Sequence, residues 1–292
     1  MPKRIFVYPY VFWMILFIVV PMLIVLWYSL TDTGPDGSVM FTTRHILRFF
    51  QPSFEGQPFL ERMHIAVLMR SIWLAIISTA LCFVIGYPLA YILSRYFRHK
   101  PFLLFLFIAP MWMNFLLRTY AWLTILERNG ILNTLLSFVG LPTIEILFTD
   151  AAVLLVMVYN FLPFMVLPIY TALCDMDNSY VEAAQDLGAN KFQVFGRVIF
   201  PLSMPGVISG ITMVFMPGVS TFIIPNLLGG REFVLIGNLI EQQFTVVGNR
   251  QFGSAIAVVM IVIVLLIMAF VKLLDRKTND DDKVSMNRGG VF

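Results

Sequence analysis

Charge is the scarcest ingredient of this 292-residue chain: Asp, Glu, Lys and Arg make up only 13% of it, against 59% hydrophobic residues. Soluble domains carry roughly a quarter charged residues, and no soluble core absorbs so much apolar surface. Cysteine is nearly absent. Cys82 lies inside one apolar run and Cys174 at the end of another, no bridge is assigned to them, and both read as small membrane-embedded hydrophobes. The three histidines, His45, His64 and His99, have no Cys or His at ligand spacing, which argues against a metal site. No lysine follows a glycine anywhere in the chain, so a Gly-x-x-x-x-Gly-Lys phosphate loop is excluded. No acid falls within the apolar core of any long run, where a proton- or sodium-coupled carrier often places one. The net charge of +3 is spread without a clustered basic surface, which speaks against nucleic acid as a partner.

What remains is long apolar runs without charge. They cover residues 8–28, 71–93, 101–117, 151–173, about 204–228, and 252–271, each close to the ~20 residues a helix needs to cross a bilayer. They are continuous rather than alternating, so a membrane barrel is disfavoured. The first exceeds the roughly 7–15 apolar residues of a signal peptide and reads as a retained helix. The third looks broken or extended at its outer end, because residues 119–126 are apolar again beyond Arg118. The fold class is therefore all-α and integral to the membrane, with six spans in a domain over residues 1–274 and a disordered tail over 275–292. Length here counts spans, not globular domains.

Placing both termini inside puts twelve of the twenty Lys and Arg, and every lysine, on the inner side, the bias expected of cytoplasmic segments. The outer segment from Leu30 to Arg70 opens with turn formers, including Gly34-Pro35-Asp36-Gly37, and then becomes periodic, as a loop followed by a short interfacial helix would. Seven prolines, at 88, 110, 163, 168, 205, 217 and 225, fall in the spans. Each removes a backbone donor and favours a kink, although Pro is simply common in membrane helices.

The inner segment 175–201 is the most informative. Ser179 and Glu182 stand at capping-box spacing, Gly188 is a natural helix stop, and Asn190 suits a second cap. Two short helices held between two spans form a docking element, since a linker needs neither. Glu182-Ala183-Ala184, Gly188 and Pro201 together resemble the loop that defines permease subunits of ABC importers; Val198 and Phe200 stand where that family's pattern has isoleucine and leucine. Residues 101–120, Asn129-Gly130-Ile131-Leu132-Asn133, Leu162-Pro163-Phe164-Met165-Val166-Leu167-Pro168, and Leu228-Gly229-Gly230 with Leu235-Ile236-Gly237-Asn238 are similar to the polyamine (spermidine/putrescine) permeases of that family.

The resemblance implies a type I ABC-importer permease fold with cytoplasmic coupling helices in the bacterial inner membrane. It implies a second homologous permease, a pair of ATPase subunits holding ATP and Mg, and an external polyamine-binding protein, with no cofactor in this chain. Glu182, Ala183, Ala184, Gly188 and Pro201 would then couple to the ATPase. An elongated cation calls for aromatic faces and oxygen atoms, and Trp112, Asn114, Tyr159, Asn160, Phe215, Ser220 and Thr221 are the residues in the spans that offer them; helix–helix hydrogen bonding is their alternative use. Arg118 would repel a cation and is expected to snorkel or to pair with Glu127 or Asp150, and the partner permease to supply the main anionic site. A permease for another small solute, an ion-coupled carrier and a non-transporting scaffold are the competing readings. The carrier is weakened by the lack of an acid within the spans, and the scaffold has no use for the docking loop.

Overall fold

The computed structural model describes residues 7–33, 38–50, 64–95, 100–230 and 233–288. In chain order the helices are α1 (Tyr8–Ser29), α2 (Arg44–Phe50), α3 (His64–Arg95), α4 (Lys100–Ile108), α5 (Phe115–Leu126), α6 (Ile131–Phe138), α7 (Asp150–Asp175), α8 (Ser179–Asp186), α9 (Lys191–Ser220), α10 (Ile223–Leu228), α11 (Ile236–Thr245) and α12 (Arg250–Arg288). Five of these, α1, α3, α7, α9 and the first part of α12, are long and apolar enough to cross a membrane. Phe102–Trp112 with Phe115–Phe138 makes a sixth if that pair, bent by 89°, counts as one span. Five or six of the expected spans are thus accounted for, and the third is broken at Met113 and Asn114, before Arg118, while Phe115–Leu126 runs through Arg118 as one helix.

The bend has local causes. Pro110 sits in a tight 3-10 turn over Ala109–Trp112, Met113 is extended, and Asn114 restarts the chain by accepting from the Leu116 N–H at 2.8 Å. A side-chain oxygen at a helix start satisfies a donor that has no intrahelical partner.

The fifth span departs from expectation. The apolar run extends to about residue 228, yet the helix stops at Ser220, with Thr221 extended at φ −62° and ψ 136°. In a continuing helix the Pro225 ring would strike the Thr221 carbonyl; the chain breaks there and α10 begins afresh with Pro225 in its first turn. Proline also explains two π-turns. Phe195–Ile199 precedes Pro201 and Ile15–Val19 precedes Pro21, with the closing N–H of Phe200 and of Val20 reaching back five residues. The wider turn re-pairs carbonyls that a proline two residues on cannot serve. The end of the chain is a further correction: residues 275–288, expected to be disordered, continue α12. No glycine or proline interrupts the sequence between Gly253 and Gly289.

The described residues form two compact units, one from residues 1–69 and 235–266, the other from 70–234 and 267–292. In the first, the segment after α1 is a hairpin rather than a plain loop, with β1 (Thr31–Thr33) antiparallel to β2 (Val39–Phe41). The Gly-Pro-Asp-Gly turn and the periodic stretch 51–63 lie outside the described residues. Phe49, His64 and Phe252 stack in sequence at 5.8 and 5.2 Å, and Arg48 covers Phe252 at 4.7 Å.

The second unit is organised by α7 against α9. Gly206 and Gly210 let the two backbones approach: a methyl at Gly206 would stand 2.6 Å from the Pro168 carbonyl oxygen. Small residues at four-residue spacing are how membrane helices gain close contact when lipid offers no hydrophobic drive. On α7, Met157, Phe161, Met165, Val166 and Ile169 are buried at helical spacing, and α3 joins them through Gly86, which lies against Met165 and Val166.

Candidate functional site

The segment between α7 and α9 is a formed, exposed element. Its first helix, α8, begins differently from the sequence expectation. Asn178, not Ser179, is the boundary residue, its carbonyl accepting from Val181 and Glu182 at 2.9 and 3.0 Å. The capping box of Ser179 and Glu182 does not form. Instead the Asp177 carboxylate accepts from the Ser179 N–H at 2.9 Å, and that backbone bond, helped by the Ser179 side chain, holds the Asp177 carboxyl below the ordinary carboxylate range. Asp wins because it lies one residue before the boundary, where its short side chain reaches the first free donor.

The stop at Gly188 is as expected. Its φ of +83° is a conformation side chains avoid, and it lets Ala189 donate to the Ala184 carbonyl at 3.0 Å while Gly188 donates to Gln185 at 2.9 Å, the double closure of a Schellman end. Asn190 caps the next turn reciprocally with Gln193, both bonds at 2.9 Å. That second helix is not separate: it runs through the π-turn directly into the fifth span. Glu182, Ala183 and Gly188 are exposed and Ala184 half-buried, and Pro201 lies at the start of the regular part of α9. Three large apolar side chains share the loop, Tyr180 at 58% exposure and Leu187 and Phe192 at 89% each. A polar loop that presents such residues has an uncovered contact surface.

Two supports for the loop were not legible in the sequence. Arg95, the last residue of α3, donates through Nη1 to Asn178 Oδ1. Tyr87 and Ser203 share a hydrogen bond of 2.9 Å between their hydroxyls, and Tyr87 with Tyr91 packs edge-on against Phe195 at 5.8 and 5.6 Å. The partners are 83 and 116 residues apart in sequence. No local pattern encodes such pairs; the only hint was a lone arginine ending an apolar run.

The candidate path residues are only partly gathered. Tyr159 packs edge-on with Trp122 at 5.0 Å, and α10, which follows the Thr221 break, packs on α5 and α7. Asn160 is 1% exposed, and neither atom of its amide has a hydrogen-bond partner among the described residues. It lies ten residues into α7, about 15 Å at 1.5 Å per residue, half of a hydrocarbon core of about 30 Å. Trp112 is 76% exposed, its ring edge-on to Phe105 at 5.4 Å. Asn114 is committed to its cap, and the Ser220 hydroxyl to the Met216 carbonyl at 3.1 Å. Phe215 is buried and lines an apolar cleft of about 300 Å³ with Ile76, Phe83, Ile211 and Met268.

Arg118 pairs with neither expected acid. It is buried at the bend and donates through Nη1 to the Pro110 carbonyl at 3.2 Å, placing a cation at the carbonyl end of the first half-helix, where it is favoured. Asp150 is taken by Arg70 at 2.6 Å, with the Arg70 guanidinium 4.2 Å over Phe233, while Glu127 ends α5 through its backbone.

The described residues thus combine long apolar helices, one formed and exposed loop between α7 and α9, and a buried amide ten residues into α7. Residues 2–280 match the family described as binding-protein-dependent transport system inner membrane component. The spermidine/putrescine transport system permease protein PotB of Haemophilus influenzae is 40% identical over 276 residues, covering 91% of this chain and 92% of that one. PotB of Escherichia coli K12 is 37% identical over 263 residues, covering 88% and 91%. Among solved structures, a chain of the bacterial alginate ABC transporter in complex with its alginate-bound periplasmic protein superposes with a TM-score of 0.76 at 16% identity, covering 94% of both chains. A chain of the MetNI methionine ABC transporter gives 0.54 at 17% identity, covering 73% of this chain and 94% of that one. By its match over nearly the whole sequence and its long apolar helices, the chain belongs to the inner membrane components of binding-protein-dependent transport systems.

Proposed function

We propose that this chain is one permease subunit of an ATP-driven importer and forms half of a translocation path for polyamines such as spermidine and putrescine. ATP and Mg are held by a pair of separate ATPase subunits, the other half of the path by a second homologous permease, and substrate arrives on an external binding protein. Both termini and the 175–201 loop face the cytoplasm. The observation that carries this reading is that loop: a capped helix, a glycine stop and three exposed apolar side chains, Tyr180, Leu187 and Phe192, in a polar surround. Glu182, Ala183, Ala184, Gly188 and Pro201 shape the part that seats on the ATPase, small residues allowing close approach and Glu182 free to meet a cation. The relatives' names supply the substrate class.

Within the spans, the path draws on Trp112, Asn114, Tyr159, Asn160, Phe215, Ser220 and Thr221. Asn160 has the strongest case, because an orphaned buried amide costs about 1–3 kcal/mol unless water or a passing ammonium group satisfies it. The test is co-expression with an ATPase, a second permease and a binding protein of a polyamine importer, with uptake of labelled spermidine into proteoliposomes and a photo-cross-linker at position 180 or 192. ATP-dependent uptake with an ATPase adduct supports the reading. Uptake without any adduct removes the docking assignment, and external labelling of a cysteine at position 185 in intact cells removes the topology.

A further inference from the structure

We infer that Arg95 is a positioning residue that ties the end of the second span to the first turn of the docking helix through Asn178. The inference rests on the docking role proposed for the loop, and adds the route by which a movement of that loop reaches the membrane spans.

An asparagine at a helix boundary ordinarily turns its own oxygen onto the N–H groups of the first turn. Asn178 does not: it makes no side-chain cap, its backbone is already helical at φ −65° and ψ −21°, and its Oδ1 accepts from Arg95 Nη1. Asp177 takes over the cap by accepting from Ser179. The division of labour leaves the Asn178 side chain free for a long-range bond while the helix start stays satisfied. A cation beside a helix start opposes the helix dipole, so local electrostatics do not favour this pairing; the meeting of two elements does.

The other end of the tie is equally fixed. Arg95 closes α3, a helix of 32 residues, with Ser94 and Leu93 buried beside it. One turn and two turns back, Tyr91 and Tyr87 pack on Phe195, in the π-turn that joins the same loop to the fifth span. The loop is therefore held to α3 at both ends, at Asn178 by a charge-assisted hydrogen bond and at Phe195 by aromatic packing. Arg95 also keeps Nε and Nη2 buried with no hydrogen-bond partner among the described residues, so within them the guanidinium has donors in reserve for another acceptor when the loop shifts.

The test uses the reconstituted full complex, with uptake of labelled spermidine and ATP hydrolysis measured on the same vesicles. Arg95→Gln should retain copurification of the ATPase but lower spermidine imported per ATP by about three- to tenfold, the size expected for loss of one charge-assisted bond at a partly solvated site. Asn178→Ala should do the same, and the double variant should be no worse than either alone, as two partners of one interaction require. Asn178→Asp keeps an acceptor and should retain most of the coupling. Unchanged import per ATP in Arg95→Gln, or additive losses in the double variant, overturns the inference. If Arg95→Gln fails to reach the membrane, the Asn178 pair decides alone: alanine and aspartate behaving alike overturns it. Absence of any ATPase contact to the wild-type loop would instead refute the docking role itself.

Discussion

Alanine at Gly206 is the sharpest probe of how this bundle is held. The added methyl would lie 2.6 Å from the Pro168 carbonyl oxygen, 2.7 Å from the Ala172 methyl and 3.1 Å from the Ile169 Cα. Carbon–carbon contact is comfortable at about 3.5–4.0 Å, so α7 and α9 must separate by roughly 1 Å, and two of the three obstacles are backbone that no rotamer change relieves. A gap of that size forfeits a quarter to a half of the dispersion energy of the atoms across it. In a membrane, where packing replaces the hydrophobic drive, overpacking of this kind should cost about 1–3 kcal/mol. Gly218 on the same helix provides the control: its added methyl meets Ala75 at an ordinary 3.5 Å. Both substitutions gain the same helix propensity, about 0.8–1 kcal/mol, and that term cancels when they are compared. Gly206→Ala should therefore be less stable than Gly218→Ala by about 1–3 kcal/mol, or about 5- to 150-fold in the unfolding equilibrium. Denaturing-detergent titration of the purified chain in micelles measures the difference. Equal midpoints and slopes for the two variants would mean that the α7–α9 approach is looser than its geometry, and the reasoning fails.

Gly188→Pro should reduce ATPase copurification strongly, because proline cannot adopt φ +83° and removes the bond to Gln185; Gly188→Ala should lose about 1–2 kcal/mol of loop order, seen as faster amide exchange at Ala189. At Trp112, alanine should weaken spermidine uptake, phenylalanine should retain more than leucine if the exposed face attracts ammonium groups, and equal uptake for leucine and phenylalanine would return the residue to packing. The Asp177 carboxyl, held below its ordinary pKa, contributes its cap fully above the unfolded carboxylate pKa of about 3.9 and loses it only as pH falls through the lower folded value. Amide protection at Ser179 should accordingly be flat in pH from 5 to 8 in the native chain, after correction for intrinsic exchange, and low throughout in Asp177→Ala; a protection step near neutrality would refute the assignment.

Apolar runs made most of the spans legible, because nothing but a bilayer explains them. Where a run continued across a break, composition was silent: residues 204–228 are uncharged throughout, and the steric demand of Pro225 on Thr221 divides them. The tail misled in the opposite sense, since its mixed charge suggested disorder while the lack of any helix breaker before Gly289 is what the backbone follows. The loop was readable at Gly188 and Asn190, whose conformational preferences are local, and misread at Ser179 because Asp177 competes for the same donor. Arg95 with Asn178, Tyr87 with Ser203, and Arg70 with Asp150 are partners that only the packed chain brings together. The use of Arg118 was hidden for another reason: its acceptor is the Pro110 backbone, which every residue type carries.

The π-turn at Phe195–Ile199 has a mechanical consequence. A one-residue widening offsets everything before it by about 100° of rotation relative to an uninterrupted α-helix, so the azimuth at which the loop leaves the fifth span is written in backbone register rather than in the loop's own side chains. Deleting a single residue within 195–199 would swing an otherwise unchanged loop surface to a new bearing. Pro201→Ala, by restoring the missing donor, would let the two registers compete, and the loop would then be re-aimed with every residue from 175 to 200 unchanged.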